Sequence, residues 1–371
     1  LLFIYYKLFK PGGITRVLTN LVNELTVDYD VCLLVLMAEH ESFYEIDSRV
    51  KIIYIDSFAH WAFSKVNVSI DKYMRWLPGR RNIKNYFYDF GAYRTLAKWL
   101  NKNHSNYDTI ITCMYKLSSQ AAINKEISHK TIAWEHTDHN VGGLLFKNTL
   151  RKHYKNLKSV VSINSASYQY YKNLNPNTFL IPNIIGEPFE SLMHKIPRQD
   201  YITYVGRLDK EKNVIELLEI FKETGLPATW KLQIIGDGPE KGNLENYVQE
   251  NGLQDSVIFH GSKLIEEIAR FLQKSKIFGF TSLKEALPTV LIEAMFAGNA
   301  LIAYDCKYGP SDIINRSNGF LVPLKDKKRF IEIVKCLALN PLILEKLMSS
   351  SYENAQKWKK REIIKTWKEI I

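Results

Sequence analysis

Tyr201-Ile202-Thr203-Tyr204-Val205-Gly206-Arg207-Leu208-Asp209-Lys210-Glu211-Lys212-Asn213-Val214 reads as a short apolar run, a glycine, a charged loop and the opening of a helix. The first five side chains are β-branched or aromatic, the types that fit a pleated surface. After the loop, Val214, Leu217, Leu218 and Phe221 recur on one helical face. The same unit then repeats: strands over 231–235, 257–260, 277–280 and 300–304, with helical periods over 240–251, 265–273 and 289–297 between them. Strands joined by helices in this way lie parallel, so the segment predicts a doubly wound α/β sheet.

The pattern extends toward the N-terminus. Leu1-Leu2-Phe3-Ile4-Tyr5-Tyr6 is too short for a signal h-region and is expected to be a buried strand. Gly12-Gly13 follows it, and Ile14, Val17, Leu18, Leu21, Val22 and Leu25 form one face of an amphipathic helix. Further strands are expected over 31–37, 51–55, 109–113, 130–134 and 159–163, while 58–93 is less regular. Three prolines and one glycine over 180–197 mark a linker. The prediction is therefore two doubly wound Rossmann-like domains facing across a cleft, over 1–185 and 186–355. In 356–371, Trp358, Ile363, Ile364, Trp367 and Ile371 form an apolar stripe expected to pack back toward the first domain.

Hydrophobic residues make up 46% of the 371 and charged residues 24%, which excludes a disordered chain and fits two cores. No run reaches the roughly 18 apolar residues a membrane span needs. The net charge of +11 is uneven: 23 basic residues face 14 acidic ones through Ile185, and 27 face 25 thereafter. The first half is thus expected to meet an anionic surface or substrate. Cys32, Cys113, Cys306 and Cys336 show neither CxxC nor metal-ligand spacing, so free buried thiols in a reducing, cytoplasmic compartment are expected.

Chemistry concentrates where strands end. Thr281-Ser282-Leu283-Lys284-Glu285-Ala286-Leu287-Pro288-Thr289 leads from a strand into a helix whose first turn suits Pro288 and whose free N–H groups suit an anion. Glu285 and Glu293 flank that helix start and fit as acceptors for sugar or ribose hydroxyls; the plain alternative is two solvated glutamates. Arg207 and Lys212 in the loop after 201–205 suit a diphosphate. Gly236-Asp237-Gly238-Pro239 forms a third such loop. In the first half, Gly12-Gly13 has the position of an anion loop, or of a simple turn. Glu135-His136-Thr137-Asp138-His139 offers a polar group after an apolar strand, or a structural histidine. The stretch 73–88 mixes bases with aromatics, and Arg151, Lys152, Lys155 and Lys158 add a second basic cluster, consistent with an anionic membrane face or with a solvated loop.

Together these pieces resemble the family 4 glycosyltransferases, retaining nucleotide-sugar enzymes of GT-B architecture. The resemblance is carried by Glu285 and Glu293 with seven residues between them, Gly206-Arg207 with Lys212, Ile235-Gly236-Asp237-Gly238-Pro239, Phe259-His260-Gly261, Pro182-Asn183, Gly12-Gly13 and Trp134-Glu135-His136. Tyr304-Asp305-Cys306-Lys307-Tyr308-Gly309-Pro310 looks most like enzymes building capsule, lipopolysaccharide or teichoic acid. The resemblance implies catalytic roles for His136, Glu285, Arg207 and Lys212. It implies donor contacts from Gly12, Gly13, Arg207, Lys212, Gly236, Gly238, Ser262, Lys263, Glu285, Ala286, Leu287, Pro288, Thr289 and Glu293. Within that set, His136 meets the sugar, Arg207 and Lys212 the diphosphate, Glu285 the sugar hydroxyls, Glu293 the ribose, and Ser262 and Lys263 the base. Ala286 and Asn213 stand where the family often has glycine.

The implied reaction moves a sugar from a nucleotide sugar, UDP-linked by default, to a cell-surface glycan, a lipid-linked acceptor or a polyol phosphate. It needs no cofactor and no metal, and no Asp-x-Asp ends a strand. An anionic membrane surface would be met by Lys72, Arg75, Trp76, Arg80, Arg81 and Lys84, on the inner face of the plasma membrane. Two rivals stay open: a sugar-nucleotide 2-epimerase of the same shape, and a module binding nucleic acid or anionic membranes through its charge.

Overall fold

A computed structural model describes residues 1–9, 12–61, 65–66, 68–73, 80–137, 139–140, 151–192 and 196–371. The expected membrane contacts Arg75 and Trp76 lie outside these residues, as does Asp138. The chain forms two compact units, Leu1–Ile181 with Ile364–Ile371, and Pro182–Ile363. These limits stand beside the 185 and 356 expected from the linker and the terminal stripe.

The first unit holds seven parallel strands: β1 (Leu2–Tyr5), β2 (Cys32–Val35), β3 (Lys51–Tyr54), β4 (Ile110–Thr112), β5 (Thr131–Glu135), β6 (Ser159–Ser162) and β7 (Thr178–Leu180). Their order is β3-β2-β1-β4-β5-β6-β7, so the winding reverses beside β1. Every residue of β1 and β2 is buried, which is why both read as unbroken apolar runs. Helix Gly13–Leu25 covers the sheet with Val17, Leu18, Leu21, Val22 and Leu25. The irregular stretch resolves into helices Val68–Tyr73 and Arg80–Asn103. The edge strand β7 was not anticipated; it has three residues, and Phe179 and Leu180 are exposed.

The second unit repeats the design with β8 (Tyr201–Val205), β9 (Lys231–Ile235), β10 (Val257–Gly261), β11 (Ile277–Phe280), β12 (Ala300–Asp305) and β13 (Gly319–Pro323). The order β10-β9-β8-β11-β12-β13 reverses beside β8, which pairs in parallel with both β9 and β11. Helices Lys327–Leu339 and Pro341–Ala355 follow β13.

Helix Lys360–Ile370 carries the chain back into the first unit, to which residues from Ile364 onward belong. Its Trp367 is fully buried and meets Trp134 edge-on at 5.1 Å. Thr109 Oγ1 and Lys158 Nζ both donate to the Ile371 carbonyl oxygen, at 2.9 and 2.6 Å.

Three expectations are corrected. Cys336 is exposed, whereas the other three thiols are buried. Arg151 is fully buried rather than part of a basic face, and Lys158 is committed to Ile371. Pro288 stands at the N-cap of helix Thr289–Phe296, one residue before the helical turn it was assigned to. Among the described residues no helix is long and apolar enough to cross a membrane.

Candidate functional site

Where the winding of a parallel sheet reverses, the flanking connections leave on opposite faces and open a crevice beyond the carboxyl ends of two strands. In the second unit those strands are β8 and β11. The loop after β8 carries Arg207 and Lys212; the loop after β11 carries Ser282 and Glu285. The loops are bolted together by bonds that include Leu283 N–H donating to the Glu211 carbonyl at 2.8 Å and Thr281 Oγ1 donating to the Asn213 carbonyl at 3.0 Å.

Across this junction Lys212 Nζ lies 2.6 Å from Glu285 Oε1, and the Ser282 hydroxyl donates to the same oxygen at 2.6 Å. Both charged groups are mostly buried, so the contacts are charge-assisted bonds shielded from water. Arg207 instead extends toward solvent and pairs through Nε with Asp209 Oδ2 at 2.5 Å. Asp209 also accepts the Lys212 backbone N–H at 3.1 Å. Asn213 has the left-handed φ of 52°. After glycine, asparagine adopts this conformation most readily, which accounts for its standing where the family often has glycine.

Arg207, Gly206, Gly236, Asp237, Ser262 and Lys263 share one open hollow of about 250 Å³. The hollow forms because backbone crosses backbone closely at its floor. A Cβ on Gly236 would fall 1.9 Å from the Gly206 carbonyl oxygen, and one on Gly238 would fall 2.3 Å from that of Leu208. No other residue fits either place. Gly238 itself is held against Leu208 and is not among the residues that line the hollow.

Helix Thr289–Phe296 begins at the far end of the Glu285 loop, and its amide ends face back toward that loop. Glu293, within this helix, is buried. Leu287 and Pro288 are buried, and Ala286 and Thr289 are partly exposed. The loop after β12 packs on this segment so closely that a Cβ on Gly309 would meet Pro288 Cδ at 2.5 Å. Beside it, burial and the charge of Glu285 push the Cys306 thiol up to about 12.

The first unit holds the remaining expected residues. Gly12 and Gly13 are exposed at the start of helix Gly13–Leu25, beyond the carboxyl end of β1. His136 follows β5 and is 7% exposed, and neither ring nitrogen has a hydrogen-bond partner among the described residues. Burial lowers its pKa to about 3, so the ring is neutral. It packs on Trp134 at 4.2 Å. His139, the alternative, stacks on Tyr170 at 4.2 Å instead.

Sequence reasoning missed Ser282 and Asp209, which hold Glu285 and Arg207. Each lies within three residues of its partner in one loop, and that short spacing was the available signal. It also missed the buried partners of Glu135, which come from distant segments and leave no local trace.

Residues 193–358 match the family described as glycosyl transferases group 1. An uncharacterized glycosyltransferase of Haemophilus influenzae is 26% identical over 100% of this chain and 99% of its own length. The GalNAc-alpha-(1->4)-GalNAc-alpha-(1->3)-diNAcBac-PP-undecaprenol alpha-1,4-N-acetyl-D-galactosaminyltransferase of Campylobacter jejuni is 24% identical over 98% and 95%. A variant of TarM from S. aureus, in complex with fondaparinux, alpha-GlcNAc-glycerol and UDP, superposes with a TM-score of 0.73 at 14% identity, covering 100% of this chain and 99% of that one. Nothing in them favours an epimerase. With two doubly wound sheets, a matched domain in the second and glycosyltransferase relatives along its full length, the chain carries a glycosyl transferases group 1 domain over 193–358 and has the GT-B fold.

Proposed function

We propose that the chain transfers a sugar, with retention, from a nucleoside-diphosphate sugar to a hydroxyl of a cell-surface glycan, a lipid-linked acceptor or a polyol phosphate. UDP is the default carrier. The observation that carries this reading is the Lys212–Glu285 pair at the β8/β11 crevice, beside the hollow that Arg207 shares with Ser262 and Lys263. The TarM complex with UDP and the lipid-linked substrate named for the Campylobacter relative support the donor and acceptor classes.

Breaking the anomeric C–O bond leaves negative charge on the departing diphosphate. Fixed positive groups at that position stabilise this charge without reorganising. In this reading the donor splits the Lys212–Glu285 pair. The ammonium turns to the phosphate, and Glu285, still held by Ser282, accepts sugar hydroxyls. Arg207 leaves Asp209 for the diphosphate, Ser262 and Lys263 receive the base, and Glu293 the ribose. The acceptor hydroxyl attacks from the face the phosphate leaves, and a phosphate oxygen takes its proton. Neutral His136 contacts the sugar as a hydrogen-bonding group.

The test is a thermal-shift panel of UDP-, GDP-, ADP- and CMP-sugars, because a ligand at about 100 times its Kd raises stability by about 2.7 kcal/mol. One nucleotide class should raise the midpoint; no shift with any of them contradicts the reading.

We further propose that the first unit meets an anionic membrane near helix Val68–Tyr73. Exposed Trp61, Val68 and Tyr73 lie near in sequence to Lys72, whose ammonium sits 5.2 Å from the Tyr73 ring centre. Lys84 and the chain at Arg80 and Arg81 follow on the next helix. Aromatic and basic side chains together suit a charged headgroup layer. Sedimentation with phosphatidylglycerol vesicles should carry the protein down, and zwitterionic vesicles should not; equal recovery with both contradicts this contact.

A further inference from the structure

The carboxyl end of β5 is held from both sides. Side chains alternate along a strand, so Trp134 and His136 lie on one face and Glu135 on the other. On the first face, His136 packs on Trp134, which Trp367 braces edge-on. On the other, Glu135 is fully buried and accepts two tyrosine hydroxyls, Tyr154 Oη at 2.6 Å and Tyr171 Oη at 2.8 Å. Arg151, also fully buried, approaches the same carboxylate at 3.5 Å. Its other nitrogen donates to the His139 carbonyl at 3.1 Å, and its guanidinium lies 4.6 Å from the Tyr115 ring centre.

A buried ion pair of this kind contributes little net stability, since apolar side chains of similar volume often do as well. What the cluster does supply is a fixed geometry. It ties the end of β5, the His139 backbone and the segments carrying Tyr154 and Tyr171 to one carboxylate, immediately beside His136.

We propose that Glu135 is a positioning residue for sugar transfer: with Arg151, Tyr154 and Tyr171 it fixes the strand end that presents His136. The proposal rests on the reading of His136 given above. An imidazole displaced by about 1 Å loses on the order of a hundredfold in rate while ground-state binding changes little.

The test compares Glu135→Gln, Tyr171→Phe and the double variant Glu135→Gln/Arg151→Met with the wild-type chain and with His136→Ala. Readouts are kcat and donor KM, UDP affinity, the melting midpoint, and the 15N shifts of the His136 ring. Glu135→Gln leaves Arg151 buried without its counter-charge and should melt early. The double variant removes both charges and should recover the wild-type midpoint and UDP affinity. Its kcat should remain at least about tenfold low with donor KM within about twofold, and its His136 shifts should be displaced. Tyr171→Phe should show the same pattern more weakly. If kcat and the His136 shifts return to wild type together with the midpoint, or if UDP affinity falls in step with kcat, the role is purely structural and the proposal is overturned. If His136→Ala turns over at the wild-type rate, the reading of His136 fails and takes this proposal with it. If His136→Ala is inactive but the double variant is fully active, only the proposal falls.

Discussion

At the scale of single residues, the second unit depends on contacts that admit one side chain each. Gly236 is the sharpest case, because a Cβ there would fall 1.9 Å from the Gly206 carbonyl oxygen. Gly236→Ala must move one of two loops that line the hollow. The expected cost is about 1–3 kcal/mol of stability, as for other overpacked sites, with a weaker nucleotide signal. Calorimetric UDP titration and thermal melting check this, and unchanged UDP affinity would contradict the assigned floor. His136 makes a second prediction. Its pKa is about 3 in the folded protein and near 6.5 when unfolded. Between those values the unfolded chain binds a proton that the native chain excludes. Its contribution is therefore complete above about pH 6.5 and is lost toward pH 3, at roughly 1.4 kcal/mol per pH unit. In His136→Asn this acid sensitivity should shrink, and melting midpoints measured from pH 7 to pH 4 should fall less steeply than those of the wild type. Parallel curves would contradict the burial argument.

At the scale of elements, the strands buried on both faces read most plainly. β1, β8 and β11 announce themselves as apolar runs followed by a glycine or a polar loop, and the helices after them show plain periodicity. What stayed hidden has physical reasons. β7 is three residues long and partly exposed, so no period develops. β13 starts at Gly319 and ends at Pro323, two residues that depress strand propensity. Helix Arg80–Asn103 mixes bases and aromatics around much of its circumference, so its face is blurred. The site was legible where its residues share a short loop, as with Arg207 and Lys212. One group expected at the surface proved internal. Arg151, taken as part of a basic surface, is a buried partner of Glu135. A charge in a sequence carries no sign of whether it faces water or a buried counter-charge.

At the scale of the whole molecule, residues 364–371 belong to the first unit with 1–181, so that unit is built from two segments far apart in the sequence. Trp367 fills a fully buried place against Trp134. Trp367→Ala should cost about 3–5 kcal/mol through the cavity it leaves. The loss should appear in unfolding of the first unit, while UDP affinity, assigned to the second, stays within about twofold. Equal loss of both would contradict the separate assignment.

The central claim is that the carboxyl edge of the second sheet receives a diphosphate through Lys212 and Arg207. Its most direct test is donor turnover and UDP affinity in Lys212→Ala and Arg207→Ala, with folding followed by melting. Each variant should keep a wild-type midpoint within a few degrees and lose at least about a hundredfold in kcat/KM, as expected when a charge that stabilises the leaving group is removed. Turnover near the wild-type rate in both folded variants would contradict the account.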